Sequence, residues 1–439
     1  MDIRTTTDSR QAASTQGQRV VLAGIGRLGD PEHARAFAEL ERLADAAGAE
    51  VVGQLTQARD RPRGATYLGT GKLEELQALV LSTGADAVVF GGELSPVQQS
   101  NLVERLQCDV LDRTELILDI FAQRAHTQEG KLQVELAQLQ YLLPRLVGHG
   151  KMMSRIGGGG GVSTSARIGT RGPGQTKLEV DRERLKHRMT ALRHRLQEVL
   201  ARQGVSRTPR AESGLPLVGL VGYTNAGKST LLNALAGSEE VSVRDRLFET
   251  LDTTVRRVAL GERREALMAD TVGFVSHLPH GLVAAFRATL EEVKLADLLV
   301  QVVDASDPDY PHQMEATHEV LASLGADDKP MLVALNKTDL LADDPALLAE
   351  LGQQRGAVPI SALGGTGLDE LRHAVLQELF RDQIPVTLHI PYDRMDALTL
   401  SHQQGRVLHT SYEPDHIVAE AEVSLELFGK LKAFVVAEA

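Results

Sequence analysis

Apolar and polar positions alternate along the chain in more than one register. Beyond residue 19, short apolar runs at 20–23, 51–52, 87–90 and 110–111 are separated by stretches of helical length at 33–47, 73–81, 96–106 and 114–123. Strand followed by helix, four times over, predicts a small parallel α/β domain across residues 17–128. Residues 1–16 before it are polar, rich in Ser, Thr and Gln and without period, and read as a frayed tail.

The texture then changes. Leu132, Leu136, Leu139, Leu143 and Leu146 are spaced 4, 3, 4, 3, the single apolar seam of a coiled-coil-like helix. Leu185, Met189, Leu192, Leu196 and Val199 repeat the seam, with Leu178 one heptad earlier. The two stretches predict a helical hairpin over 129–205 whose seams pack on each other. Residues 206–215 are polar and contain Pro, so they read as a linker. A second α/β pattern fills 216–383. The remainder, 384–439, alternates like strands at 386–390, 406–411 and 417–423, with a helix near 394–402 and a closing helix, which predicts a small α+β domain.

Composition narrows the class. The chain has 439 residues, 42% hydrophobic and 24% charged, so disorder is excluded as its main state. No run of about 18 apolar residues occurs, and the first 20 residues lack the apolar core of a signal peptide, so a cytoplasmic protein with no membrane span is expected. The one cysteine, Cys108, agrees with a reducing compartment and reads as a small core residue. The net charge of −12 conceals an asymmetry. Residues 144–210 hold 15 Lys and Arg against 4 Asp and Glu, which leaves the rest of the chain strongly acidic. A basic segment in an acidic protein suits phosphate-backbone binding, although a solvated helix surface gives the same count. At the hairpin tip Arg155, Arg167 and Arg171, with Lys177 beyond, stand beside the five glycines 157–161. Glycines alone make a linker; a linker needs no arginines, and the tip is read as an RNA-binding element.

Chemistry enters at Gly222-Tyr223-Thr224-Asn225-Ala226-Gly227-Lys228-Ser229-Thr230, which matches G-x-x-x-x-G-K-[ST] between an apolar strand and the opening of a helix. Backbone N–H groups of such a loop point at phosphates, Lys228 reaches the β and γ oxygens, and Ser229 ligates Mg²⁺. The base is chosen further on. Asn336-Lys337-Thr338-Asp339 closes the apolar run 331–335, and a carboxylate there accepts two parallel hydrogen bonds that guanine offers and adenine does not. Ser361-Ala362-Leu363 is placed to give a backbone N–H to the guanine O6. Missing that pattern leaves buried polar groups unpaired, which discriminates strongly between bases. Between these motifs, Asp270 of Asp270-Thr271-Val272-Gly273 can hold Mg²⁺ through water, and the Gly273 amide can meet the γ-phosphate. Upstream, Phe248-Glu249-Thr250-Leu251-Asp252 is the loop expected to supply a threonine to Mg²⁺, with Thr250 favoured and Thr253 and Thr254 as rivals. Lys228, Asn225 and Gly273 form the catalytic set.

These motifs together resemble the translation-factor class of GTPases and, within it, the Obg/HflX group. Tyr67 to Lys72 (YLGTGK) and the stretch 168–179 (IGTRGPGQTKLE) resemble HflX-type ribosome-binding GTPases, and the likeness runs over nearly the whole chain. The family's tip is usually shorter before GTRGPG, and Gln175 stands where Glu is common. The resemblance implies a GTPase that binds the large ribosomal subunit or the 70S ribosome, sets its hairpin on ribosomal RNA and helps split stalled ribosomes under stress. It also implies ATP use by the N-terminal domain; Gly69-Thr70-Gly71-Lys72 is too short for a full phosphate loop and reads equally as a helix start. Phe274 occupies the position of a water-orienting glutamine in Ras-like switches, so slow hydrolysis by the isolated protein is expected. Asn225 occupies the position that holds K⁺ in some GTPases resembling this one; a loop-stabilising amide is the other reading. Two rival functions stand beside the ribosome-splitting switch: a slow GTP-dependent scaffold in large-subunit assembly or silencing, and ATP-driven RNA remodelling by the N-terminal domain.

Overall fold

The protein is described by a computed structural model covering residues 15–27, 29–156, 173–213, 215–237, 254–261, 264–275, 292–341, 356–381 and 383–438. The fold is α/β, as its sequence pattern predicts, with two mainly parallel sheets and a third, antiparallel one.

The first sheet has strand order β2-β1-β3-β4, from β1 (Arg19–Ile25), β2 (Glu50–Gln57), β3 (Ala87–Phe90) and β4 (Asp109–Asp112), all parallel. Strand β3 is buried along its whole length, as a parallel strand covered on both faces must be. One face carries α1 (Pro31–Ala46) and α4 (Arg113–Arg124), and the other α2 (Thr70–Thr83) and α3 (Pro96–Leu106). The helix starts are written locally. Asp30 caps α1, with Pro31 at the first position, and Ser95 with Gln98 forms a capping box on α3.

Next come the long helices α5 (Gln128–Ile156) and α6 (Pro173–Ser213). Their predicted seams do meet: Leu132, Leu136 and Leu139 are buried against Met189 and Leu192, flanked by Leu143, Leu185, Leu196 and Val199. Two physical details differ from the sequence reading. Helix α6 runs on through Ser213, across most of the residues 206–215 read as a linker, because extending a formed helix costs far less than starting one. Helix α5 is also tied to the first domain, where Arg145 makes the largest set of contacts. Arg145 lies over the Tyr141 ring, 3.4 Å from its centroid, and donates to the Leu94 carbonyl (2.8 Å), Asp112 Oδ2 (3.1 Å) and Gln99 Oε1 (3.0 Å). Asp112 is fully buried and also caps α4, so one carboxylate joins the strand end, a helix start and the hairpin. Beside it, burial pushes the Glu115 carboxyl up to about 7, with the Asp112 charge adding to the rise, and the Tyr141 hydroxyl donates to it at 3.3 Å.

The second sheet has order β10-β9-β8-β5-β7-β6, from β5 (Leu217–Val221), β6 (Thr254–Gly261), β7 (Arg264–Asp270), β8 (Leu298–Asp304), β9 (Met331–Asn336) and β10 (Ala357–Pro359). Helices α7 (Lys228–Ala236), α8 (Tyr310–Leu324) and α9 (Leu368–Leu379) pack on it. All pairs are parallel except β6 with β7. Thr254, taken as a rival loop ligand, is the first residue of that antiparallel edge strand, whose burial alternates along its second half.

The last domain runs β11 (Gln383–Pro391), α10 (Met395–Gln404), β12 (Arg406–Tyr412), β13 (His416–Ser424), α11 (Leu425–Leu431), β14 (Val435–Glu438), with sheet order β12-β13-β11-β14. That is a split β-α-β arrangement, antiparallel throughout. The closing helix expected from the sequence is followed by β14, which pairs with β11. Arg264 of β7 ties this domain to the second sheet: it ion-pairs Glu422, donates to Gln383 Oε1 at 3.2 Å and lies 3.8 Å over the Phe380 ring. No described helix is long and apolar enough to cross a membrane.

Candidate nucleotide site

Strand β5 is central in its sheet, and its C-terminal end opens where open parallel sheets bind ligands. Gly222 leaves the strand with φ 145°, and a Cβ there would lie 2.2 Å from the Val302 carbonyl oxygen, so no other residue fits. Gly227 has φ 93°, and its missing Cβ leaves room for Asn336 Nδ2, which would stand 2.3 Å away. Asn225 is exposed at the turn with φ 63°. Lys228 opens α7 and is almost fully buried. Its ammonium donates to the Gly222 carbonyl at 3.1 Å and the Tyr223 carbonyl at 2.9 Å. Burial lowers its pKa to about 8, and the neighbouring Asp270 charge opposes that fall.

The DTVGF segment lies alongside. Phe274 N–H donates to the Gly222 carbonyl (3.1 Å) and Thr224 N–H to the Phe274 carbonyl (2.8 Å), so this segment is zipped to the phosphate loop. Gly273 has no room for a side chain: a Cβ would meet Thr224 Cα at 2.8 Å and Lys228 Nζ at 3.2 Å. Ser229 Oγ donates to Asp270 Oδ2 at 2.6 Å, which brings two hard oxygen donors together at the loop. That donor set fits Mg²⁺, which takes few protein ligands and completes its shell with water and phosphate. Among the described residues no group of three or more His, Cys, Asp or Glu could hold a metal ion. Phe274 is buried among Val221, Val293 and Ala296, so its ring turns into the core.

The base-recognition motifs converge on the same loop. Asn336 Nδ2 donates to the Ala226 carbonyl (2.8 Å), and Asn336 Oδ1 accepts from the Ala362 N–H (2.9 Å). Asn336, read from the sequence as a nucleotide contact, also braces two loops to each other. Lys337, at φ 65°, pairs with Asp304 at 2.7 Å, and Thr338 Oγ1 donates to the Ile360 carbonyl. Asp339 is exposed, with Oδ1 accepting from the Ser361 hydroxyl at 2.5 Å. The carboxylate is held by one oxygen, and the exposed Leu363 lies two residues beyond Ser361. Residues 248–253, including Thr250 and the rival Thr253, lie outside the described residues, as do Arg167 and Arg171. Arg155 falls in the last turn of α5 and Lys177 in the first turns of α6, with side chains outside those described. Thr70, Gly71 and Lys72 open α2, and Lys72 pairs with Glu75 at 2.6 Å, which realises the helix-start reading of that stretch.

Sequence reasoning did not find what lies behind the phosphate loop. Tyr223, Val272, Val275 and Ala316 are buried in one apolar cluster with Leu40, Leu43, Leu116 and Phe121 of the N-terminal domain. The Tyr223 hydroxyl donates to Glu39 on α1, and Glu39 pairs with the equally buried Arg113 of α4 at 3.0 Å. On the same face of α1, Arg35 and Arg42 reach Asp309 (2.6 Å) and Asp307 (3.4 Å). Their spacing of four and three residues, with Glu39 between them, was the signal available in the sequence.

Comparison with known proteins agrees with this architecture. Three family models match in succession: a GTP-binding GTPase N-terminal domain over residues 34–122, a GTP-binding GTPase middle region over 124–210, and a 50S ribosome-binding GTPase over 217–337. A GTPase HflX of Caldanaerobacter subterraneus is 43% identical over 429 residues, covering 98% of this chain and 96% of the relative. The GTPase HflX of Escherichia coli is 42% identical over 376 residues, covering 85% and 86%. A solved GTP-binding protein from Sulfolobus solfataricus, in complex with GDP, is 26% identical, with 82% of this chain and 99% of that chain covered and a TM-score of 0.40.

Proposed function

Since the chain belongs to the HflX family of GTPases, we propose that it is a ribosome-associated, GTP-hydrolysing switch that promotes splitting or recycling of ribosomes under stress. GTP is cleaved to GDP and phosphate at the loop around Lys228. On this reading Lys228 leaves the Gly222 and Tyr223 carbonyls for the phosphate oxygens, and the Gly273 amide meets the γ-phosphate. Ser229 and Asp270, with Thr250 from the loop 248–252, would hold Mg²⁺, which neutralises charge on the β and γ oxygens when bound. Asp339 accepts from the guanine N1–H and amino group, and the Ala362 region faces its O6. Asn225 would place K⁺ at the phosphates; equal turnover in KCl and NaCl would remove that step.

The observation that carries the switch reading is the burial of Val272 and Val275, on either side of Gly273, in the core of the N-terminal domain. A segment expected to move with the γ-phosphate is packed on the domain that bears the basic hairpin, so a change at the nucleotide reaches the RNA-binding side directly. The hairpin tip, with Arg155, Arg167, Arg171 and Lys177, would engage ribosomal RNA through phosphates and backbone shape.

GTP turnover in KCl, with and without large ribosomal subunits and with Lys228→Ala as control, tests this reading. Stimulation of tenfold or more that the control lacks is the expected result. Binding without stimulation favours the slow scaffold instead, a reading that the buried Phe274 supports because no side chain there orients water.

A further inference from the structure

The loop between β2 and α2 carries Arg59, Arg61 and Arg63, all exposed, at alternate positions. Its only carboxylate, Asp60, is engaged by Arg27 at 3.0 Å. Among the described residues none of these three guanidiniums has a carboxylate partner. The surroundings make this unusual: residues 17–128 hold 16 Asp and Glu against 11 Lys and Arg, so three unneutralised arginines stand on an acidic domain.

The loop is held in shape by its backbone and by α3. Arg63 and Tyr67 exchange N–H to carbonyl hydrogen bonds in both directions, at 2.8 and 3.0 Å. Gln98 Nε2 donates to the Arg63 carbonyl at 2.7 Å and Asn101 Nδ2 to the Ala65 carbonyl at 2.8 Å. Tyr67 is buried at φ 61° with its ring edge-on to Phe90, and the Thr66 hydroxyl donates to the Leu68 carbonyl. None of these bonds uses an arginine side chain. The loop therefore holds its form while leaving three forked cations in water, which is preorganisation for an anion rather than stabilisation of the fold.

The ligand chemistry follows from what is present and what is not. Three guanidiniums in a row suit a row of phosphates. The loop exposes no aromatic ring on which a base could stack, so it suits the backbone and not the bases. Its bracing by α3 sets it on the sheet face opposite to the one that packs on the nucleotide-binding domain. We propose that the 59–63 loop is an RNA-backbone contact, a second anchor on ribosomal RNA separate from the hairpin tip; this rests on the ribosomal reading above.

The test compares the full chain with an Arg59→Gln, Arg61→Gln, Arg63→Gln variant in co-sedimentation with large ribosomal subunits at several KCl concentrations. Each phosphate contact adds about 0.7–0.9 to the slope of log K against log salt, so loss of three should flatten the slope by about 2–3 and weaken binding by about 10–100-fold at fixed salt. The matching lysine variant should stay within a few-fold of the parent. The unfolding midpoint and the turnover without ribosomes should not change; if the triple variant unfolds early, Arg61→Gln alone, with a slope change of about 0.7–0.9, decides. Equal slopes and affinities for parent and variant would overturn the proposal and leave the ribosomal reading standing. A parent chain that does not bind subunits would instead overturn that reading. In that case the same pair is titrated with a naked RNA duplex of about 16 base pairs, a length a compact RNA-binding domain can span, where equal slopes overturn the loop proposal as well.

Discussion

The buried Lys228 makes nucleotide affinity dependent on pH in a range where few other groups titrate. In the nucleotide-free protein its pKa is lowered to about 8 by burial. Phosphate oxygens in place of the two carbonyls return it toward its ordinary value of about 10.4, so binding takes up a proton above pH 8. The sign is fixed by the charge type: a cation with a lowered pKa loses its charge as pH rises. At pH 7 about nine-tenths of the free protein has a charged lysine, and at pH 9 about one-tenth. GDP affinity should therefore fall about tenfold from pH 7 to pH 9, or about 1.4 kcal/mol. Near pH 8 about half a proton should be taken up per GDP bound. Fluorescence titration gives the first quantity, and calorimetry in buffers of different ionisation enthalpy gives the second. An affinity that is flat from pH 7 to 9, with no proton uptake at pH 8, would refute both the lowered pKa and the placement of the ammonium on the loop carbonyls.

Other perturbations separate the remaining claims. Glu39→Ala leaves Arg113 buried beside a lost carboxylate and should cost about 3–5 kcal/mol, whereas Tyr223→Phe removes one hydroxyl and should cost about 1 kcal/mol; denaturant unfolding followed by a probe in the N-terminal domain orders the two, and the reverse order would count against the pairing. Asp339→Asn exchanges an acceptor for a donor, so GDP should bind at least about 100-fold more weakly and xanthosine diphosphate should gain; unchanged base preference in a competition assay would remove Asp339 from the recognition role. Glu115, with its pKa raised to about 7, destabilises the fold as pH climbs from its ordinary value of about 4.3 toward 7. Glu115→Gln should then be close to neutral at pH 5 and stabilising by about 1–3 kcal/mol at pH 8, and thermal unfolding with the same shift at both pH values would disprove the burial argument.

The parts of the fold that were legible in the sequence are those set by local spacing. The 4, 3 seams of Leu132 to Leu146 and Leu185 to Val199 meet as read, and the glycines of the phosphate loop take positive φ where the motif requires it. What escaped depends on partners far along the chain. Glu39 and Arg113 look like ordinary surface residues of amphipathic helices, and only the docking of Tyr223 makes them core. The bracing of Asn336 between Ala226 and Ala362 was hidden in the same way, because both of its partners lie far along the chain. The extension of α6 past Gly204 and Pro209 was hidden for the opposite reason: both residues discourage helix locally, and local preference is what a single sequence displays most clearly.

The α1 face that meets the nucleotide-binding domain has a consequence for how strong that contact must be. Its two domains are also joined covalently, through α5, the tip and α6, so their association is unimolecular and each holds the other at an effective concentration of about a millimolar or more. Four apolar side chains, a hydroxyl and two ion pairs then suffice for a contact that would be transient between separate molecules. A single backbone cut within residues 157–172 would leave every one of those groups in place and yet change the situation, because the two halves would then be held by the interhelical seam and the α1 face alone. Dilution, which cannot affect the intact chain, would begin to separate them.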